Sequence, residues 1–208
     1  MRKLLVLGVL GLAAYTAYRN RHSFLPREGA FDEAGNPIVR VFVGPDCGPG
    51  CDEVEDTLKQ RGVGYERVDV LSPAGQEYGI RQYPLTMVGR RRVVGNAVDG
   101  IVSMLAEAYG EGVLTYAERA AMAGHFDADG KPIVVLYGTQ WCGYCKRQRE
   151  FFASNQIAFA DVDVEASLPA KAAYEALRGR GYPLVFIGYR RFEGYSDTEI
   201  LDALAETK

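Results

Sequence analysis

The chain contains the same unit twice. Phe31-Asp32-Glu33-Ala34-Gly35-Asn36-Pro37-Ile38-Val39 returns as Phe126-Asp127-Ala128-Asp129-Gly130-Lys131-Pro132-Ile133-Val134, 95 positions later, and Cys47 returns at the same shift as Cys142. Tyr83-Pro84-Leu85 then returns as Tyr182-Pro183-Leu184, Gly89, Arg91, Arg92 and Gly95 as Gly188, Arg190, Arg191 and Gly194, and Leu105-Ala106-Glu107 as Leu204-Ala205-Glu206, now 99 positions later. Ordered matches across two stretches of about 75 to 80 residues each are the mark of a duplicated structural unit. Whatever fold one copy adopts, the other is expected to share. The expected divisions are a hydrophobic segment at 1–22, a first domain at 36–110, a linker with a short helix at 111–130 and a second domain at 131–208.

Each copy reads as a mixed α/β unit. In the second, Ile133 to Tyr137 is a short β-rich run, Gly143 to Phe152 a helix, Ala158 to Val164 an alternating strand, and Ser167 the cap of a helix with Pro169 in its first turn. Leu184 to Ile187 and Arg191 to Glu193 follow as strands around a turn at Gly188-Tyr189, and Asp197 to Ala205 closes the copy as a helix. The order is βαβαββα. The first copy reads the same way, with strands at Ile38 to Val43, Tyr65 to Val70, Leu85 to Val88 and Arg92 to Val94, and helices at Cys51 to Gln60, near Ala74 to Tyr78, and at Asp99 to Ala108. Thr115 with Glu118 three residues on is a capping-box start for a helix to about Ala123.

Charge narrows the function. With 24 basic against 27 acidic residues the net charge is −3, which argues against a nucleic-acid partner whose phosphates must be neutralised. Four cysteines in 208 residues are too few for a disulfide-stapled scaffold, and they fall in two close pairs, one per copy. Cys142-Gly143-Tyr144-Cys145 lies between a strand and a helix, where a C-x-x-C pair suits thiol–disulfide exchange. Unpaired amides at a helix start, with Lys146 and Arg147 nearby, stabilise a thiolate. Cys142, exposed at the helix start, is expected to attack and Cys145, one turn in, to resolve the mixed disulfide. The first pair, Cys47-Gly48-Pro49-Gly50-Cys51, is one residue longer, and its activity is left open between a second site and a degenerate repeat. Only His22 and His125 are present, neither placed for a Cys-His mechanism. A four-cysteine zinc site does not fit the long interval between the pairs, so no metal ligands are expected. A buried structural pair remains an alternative for Cys142 and Cys145.

Together these residues resemble the glutaredoxin branch of the thioredoxin fold. The resemblance spans both copies and is most specific in the second: a strand with Tyr137, the Cys-Gly-Tyr-Cys motif, Lys146-Arg147, the Tyr182-Pro183 step, then Gly194 and Ser196-Asp197. It implies two tandem thioredoxin-like domains of α/β class behind an N-terminal hydrophobic helix. It also implies a cis peptide at Pro183, with the Tyr182 backbone facing substrate, Tyr144 beside the thiol, and a turn of Gly194, Ser196 and Asp197 that holds glutathione. Tyr195 departs from the glycine usual in that turn, and Thr139 from the basic residue often found three positions before the first cysteine. The implied function is a thiol–disulfide oxidoreductase acting on protein disulfides or glutathione mixed disulfides, with Cys142, Cys145, Cys47 and Cys51 as candidate catalytic residues. Glutathione is the implied co-substrate, with no tightly bound cofactor. The alternative is a redox-inactive, iron–sulfur or glutathione-binding interaction module with a degenerate first repeat.

Ahead of the repeats, Leu4 to Tyr18 is uncharged, between Arg2-Lys3 and Arg19, Asn20, Arg21. As a helix it reaches roughly 22 Å against the roughly 30 Å of a bilayer core. It is expected to be an uncleaved anchor, with a cleaved signal or a soluble helix as alternatives. Membrane association through residues 4–18, at a bacterial inner membrane, is the expected location. Basic residues on both sides leave the orientation undetermined.

Overall fold

A computed structural model describes residues 29–206. The expected hydrophobic helix within 1–22 lies outside the described residues. Among the described residues, no helix is long and apolar enough to cross a membrane. The chain divides into two compact units, one built from residues up to 51 together with 65–95, the other from 52–64 together with 96 onward.

In the first unit, β1 (Val39–Val43), β2 (Glu66–Asp69), β3 (Leu85–Val88) and β4 (Arg91–Val94) form one sheet in the order β2-β1-β3-β4. β1 runs parallel to β2, with Val41 opposite Arg67, and antiparallel to β3, with Val41 opposite Thr86. A parallel neighbour requires a crossover, and α1 (Gly48–Gln60) stands in the chain between β1 and β2. α1 begins three residues before the expected Cys51, because Pro49 has its φ preset for a helix and no amide to lose in the first turn. The short α2 (Pro73–Gln76) follows β2, capped by Ser72, whose hydroxyl accepts from the Gly75 amide at 3.0 Å. Phe42, Leu85, Met87, Val70 and Ala30 make the core of this unit.

The second unit takes in α3 (Val98–Tyr109) and α4 (Tyr116–Met122), then β5 (Val134–Gly138), α5 (Gly143–Ser154), β6 (Phe159–Asp163), α6 (Leu168–Ala176), β7 (Leu184–Ile187), β8 (Arg190–Glu193) and α7 (Thr198–Glu206). Its sheet has the order β6-β5-β7-β8, with β5 parallel to β6 and antiparallel to β7. Every residue of the central strands β5 and β7 is buried, as expected of strands covered on both faces. Leu136, Phe152, Val185, Phe192 and Ile200 form the core. The Thr115 capping box is present in both directions. Two mixed α/β units with four-stranded sheets of matching order are consistent with two thioredoxin-like domains.

The repeated Phe-Asp-x-x-Gly-x-Pro signature has a structural cause. Phe31 bridges Pro37, and Phe126 bridges Pro132, as isolated β-bridges. Each closes a small loop over the glycine that turns β3 into β4 or β7 into β8. Gly188 has φ +56°, and a Cβ there would come within 3.0 Å of Pro132 and 3.2 Å of the Phe126 ring. Glycine is required by both the conformation and the space.

Candidate active site

Cys142 is the N-cap of α5, and its Sγ accepts a hydrogen bond from the Cys145 amide at 3.0 Å. The two cysteines form a disulfide with Cα atoms 5.2 Å apart. Cys145 is fully buried and Cys142 only 7% exposed. Cys142 is thus less open than its place at a helix start suggested, since its sulfur is bonded to Cys145 and faces that residue's amide. Space for Cys145 comes from Gly138 at the end of β5, where a Cβ would stand 2.9 Å from the Cys145 sulfur.

Of the three basic residues of α5, Arg149 is turned away and pairs with Asp161 on β6 through two bonds, at 2.8 and 3.0 Å. Lys146 lies 4.0 Å from Glu150. Arg147 stays at the helix start, over the rings of Tyr144 at 5.9 Å and Tyr195 at 4.6 Å. Tyr195, the bulky departure from the family turn, is accommodated by that stacking and by an edge contact with Phe151. Tyr144 is 61% exposed and Trp141 69%. The Trp141 indole donates to Glu165 at 3.0 Å and meets the Tyr182 ring edge-on at 6.0 Å. The Tyr182-Pro183 peptide is cis, as is Tyr83-Pro84 in the first unit. Pro183 is buried and Tyr182 half-buried.

Beside Tyr182 a cleft of about 580 Å³ opens, lined by Glu165, Leu168, Lys171, Tyr174 and Gly179 among others. The Tyr174 hydroxyl donates to the Gly181 carbonyl at 3.0 Å, and burial together with Tyr182 pushes this phenol up to about 12. The cleft therefore presents a neutral phenol at Tyr174, and its lining includes Lys171, which lies 3.9 Å from Glu175.

The turn after β8 brings Gly194, Ser196 and Asp197 together at the start of α7. Asp197 accepts from the Thr198 amide at 2.6 Å and hydroxyl at 3.1 Å. The Thr198 amide and hydroxyl hold its carboxyl below the ordinary carboxylate range. What the sequence reading missed is the support beneath this turn. Gln148 is fully buried, donates through Nε2 to the Ser196 carbonyl and accepts the Ser196 amide through Oε1, both at 2.9 Å. Its spacing from Cys145 and Phe152 placed it on the buried face of α5, which was the available signal. Thr139 is fully buried, and its hydroxyl has no hydrogen-bond partner among the described residues, so it presents nothing at the surface.

In the first unit, Cys47 and Cys51 also form a disulfide, with Cα atoms 5.6 Å apart. The extra residue falls at the entry to α1, where Asp46 and Gly48 take φ +58° and +49°. Cys47 is half-buried, Cys51 buried, and a Cβ on Gly50 would stand 3.8 Å from Pro84. His125 lies elsewhere: its Nδ1 is 3.0 Å from the Gly188 carbonyl and its Nε2 is 2.9 Å from the Tyr137 hydroxyl. The carbonyl can only accept, so Nδ1 carries the proton and Nε2 accepts from Tyr137. Among the described residues, no three His, Cys, Asp or Glu side chains converge as a metal-ligand set.

Residues 134–192 match the Glutaredoxin family model, which supports the glutaredoxin family for this part of the chain. Two Mycobacterium tuberculosis proteins named as glutaredoxins, from strains CDC 1551 and H37Rv, are each 35% identical over 46 residues, 22% of this chain and 55% of theirs. The chain thus spans about half the length of the curated relatives it matches. Among solved structures, wheat glutaredoxin is similar at 21% identity, covering 45% of this chain and 94% of its own, with a TM-score of 0.37. A buckwheat glutaredoxin–glutathione complex gives 21% identity, 44% and 83% coverage, and 0.35.

Proposed function

We propose that the chain is a glutaredoxin-like thiol–disulfide oxidoreductase acting through Cys142 and Cys145 on protein disulfides or glutathione mixed disulfides, with glutathione as co-substrate. The observation that carries this reading is the Cys142 sulfur at the N-terminus of α5, facing the Cys145 amide at 3.0 Å. An amide aimed at a sulfur, added to the helix dipole and to Arg147, favours the thiolate over the thiol. The Cys142 thiolate attacks one sulfur of the substrate disulfide, forming a mixed disulfide and expelling the other sulfur as thiolate. Cys145 then attacks the Cys142 sulfur, closing the Cys142–Cys145 disulfide and releasing the second thiolate. Two glutathione thiols restore the dithiol and leave as glutathione disulfide. Tyr182, Trp141 and Tyr144 would receive the substrate, while Gly194, Ser196 and Asp197 would hold glutathione.

The test is reduction of a glutathione mixed disulfide and of a protein disulfide by the full chain and two variants. Cys142→Ser should lose both activities. Cys145→Ser should keep the first, which one cysteine can perform, and lose the second. Retained activity in Cys142→Ser would overturn the reading. For location we propose membrane attachment through residues 4–18, which rests on their composition alone; deletion of those residues should move the protein from the membrane to the soluble fraction.

A further inference from the structure

We infer that Cys47 and Cys51 form a second redox couple, held at lower potential than Cys142 and Cys145 by the carboxylates flanking it. The inference rests in part on the proposed function, since it ranks one couple against the other. Both pairs stand at the start of a helix of twelve or more residues and are disulfide-bonded. Both lie in a copy whose Tyr-Pro step precedes an antiparallel central strand. Cys47 is the more accessible of the two leading cysteines, half-buried where Cys142 is buried. A reductant therefore has access to it.

The flanks differ in sign. Asp46 precedes Cys47, and Asp52 and Glu53 follow Cys51, whereas Trp141 precedes Cys142, and Lys146 and Arg147 follow Cys145. Chain neighbours are only about 3.8 Å apart at Cα, well inside a Debye length of roughly 10 Å. At the second pair the basic flank and the Cys145 amide stabilise thiolate, and so favour the reduced form. At the first, the acidic flank disfavours it. A disulfide whose reduced form is less stabilised has the lower potential. With glutathione as carrier, a dithiol at Cys47 and Cys51 and a disulfide at Cys142 and Cys145 become a disulfide at the first pair and a dithiol at the second, two electrons and two protons passing between them. A half-reduced chain holds its dithiol at Cys142 and Cys145.

The experiment equilibrates the full chain anaerobically in glutathione buffers, quenches with acid, alkylates, and reads each pair by peptide mass. At the buffer that half-reduces Cys142–Cys145, Cys47–Cys51 should remain oxidised by at least about tenfold, which for a two-electron couple corresponds to about 30 mV. Asp46→Asn with Asp52→Asn should bring the ratio at least about threefold closer to parity; asparagine tolerates the left-handed backbone at position 46. Simultaneous reduction, the reverse order, or an unchanged ratio in the double variant would each overturn the inference. The two readings fail separately. If Cys142–Cys145 does not exchange with glutathione, the proposed function falls. If it does, and Cys47–Cys51 stays oxidised in excess dithiothreitol without denaturant, only the second couple falls.

Discussion

Gln148 and His125 carry the most chemistry per residue outside the cysteines. Gln148 satisfies both backbone groups of Ser196, and its loss strands a buried donor and acceptor, costing about 1–3 kcal/mol for each unpaired group. Gln148→Leu should lower stability by a few kcal/mol on that ground. If Ser196 and Asp197 hold glutathione, KM for glutathione should also rise several-fold while kcat changes little, and Gln148→Glu should restore only the acceptor half; steady-state kinetics at varied glutathione separates the two effects. His125 is held neutral, its pKa pushed down to about 4 by burial from an ordinary value of 6.5, against a raising contribution from the Gly188 carbonyl. Because the folded value lies below the unfolded one, the unfolded chain binds the extra proton first. Stability from this group is complete above about pH 6.5 and is lost as pH falls toward 4, by on the order of 3 kcal/mol. Urea midpoints measured from pH 7 to pH 4 should fall in that window, and the fall should flatten in His125→Gln. The buried role of His125 was not legible in the sequence, because its partners, Gly188 and Tyr137, come from two other strand regions.

At the scale of elements, α3 is held by Arg180, beyond α6, and by Arg191 of β8 with the backbone of the turn before it. Asp99 pairs with Arg180 at 2.6 Å and Arg191 at 3.1 Å, and Ser103 donates to the Tyr189 carbonyl at 2.6 Å while accepting the Arg191 amide at 3.1 Å. Arg191 also donates to the carbonyls of Leu177 and Arg178, at 2.6 and 3.2 Å, which the end of α6 leaves open. Burial pushes the Asp99 carboxyl up, but the hydrogen bond from Arg180 and the Arg191 charge reverse this and hold it below the ordinary carboxylate range. Arg191 is 5% exposed at its side chain and also pairs with Glu193 at 2.7 Å, so removing Asp99 takes away its buried carboxylate but leaves it the exposed one. Asp99→Ala should destabilise the chain by about 1–3 kcal/mol, the cost of stranding the donors it satisfied, read from denaturant midpoints, whereas Arg180→Ala, at an exposed partner, should cost under about 1 kcal/mol. The helices themselves were readable from capping and periodicity. That the last helix of the first repeat pairs with the hairpin of the second was not, since the residues involved are 81 to 88 positions apart.

For the molecule as a whole, the repeat does not coincide with the compact units. The second unit includes residues 52–64 and 96–130 as well as the second copy. Within it, Arg61 donates to the Val113 carbonyl at 2.9 Å and pairs through both guanidinium nitrogens with Glu118, both side chains being nearly buried. Burial pushes the Glu118 carboxyl up, and the bonds from Arg61 and Thr115 overcome this and hold it below its ordinary value. A fragment of 131–208 should therefore unfold at lower denaturant than one of 96–208, which keeps Asp99 and Ser103; parity between them would show that α3 contributes nothing. The sequence by itself determined the βαβαββα order of elements, the Tyr-Pro steps and the two cysteine pairs, because these depend on local periodicity, caps and spacing within a few turns. Tertiary structure alone decided that Cys142 is nearly buried, that Gln148 supports the Ser196 turn and that Asp99 belongs with Arg191. Those are matters of which surfaces meet, and hydrophobic burial, which drives the meeting, has no direction that a linear pattern records.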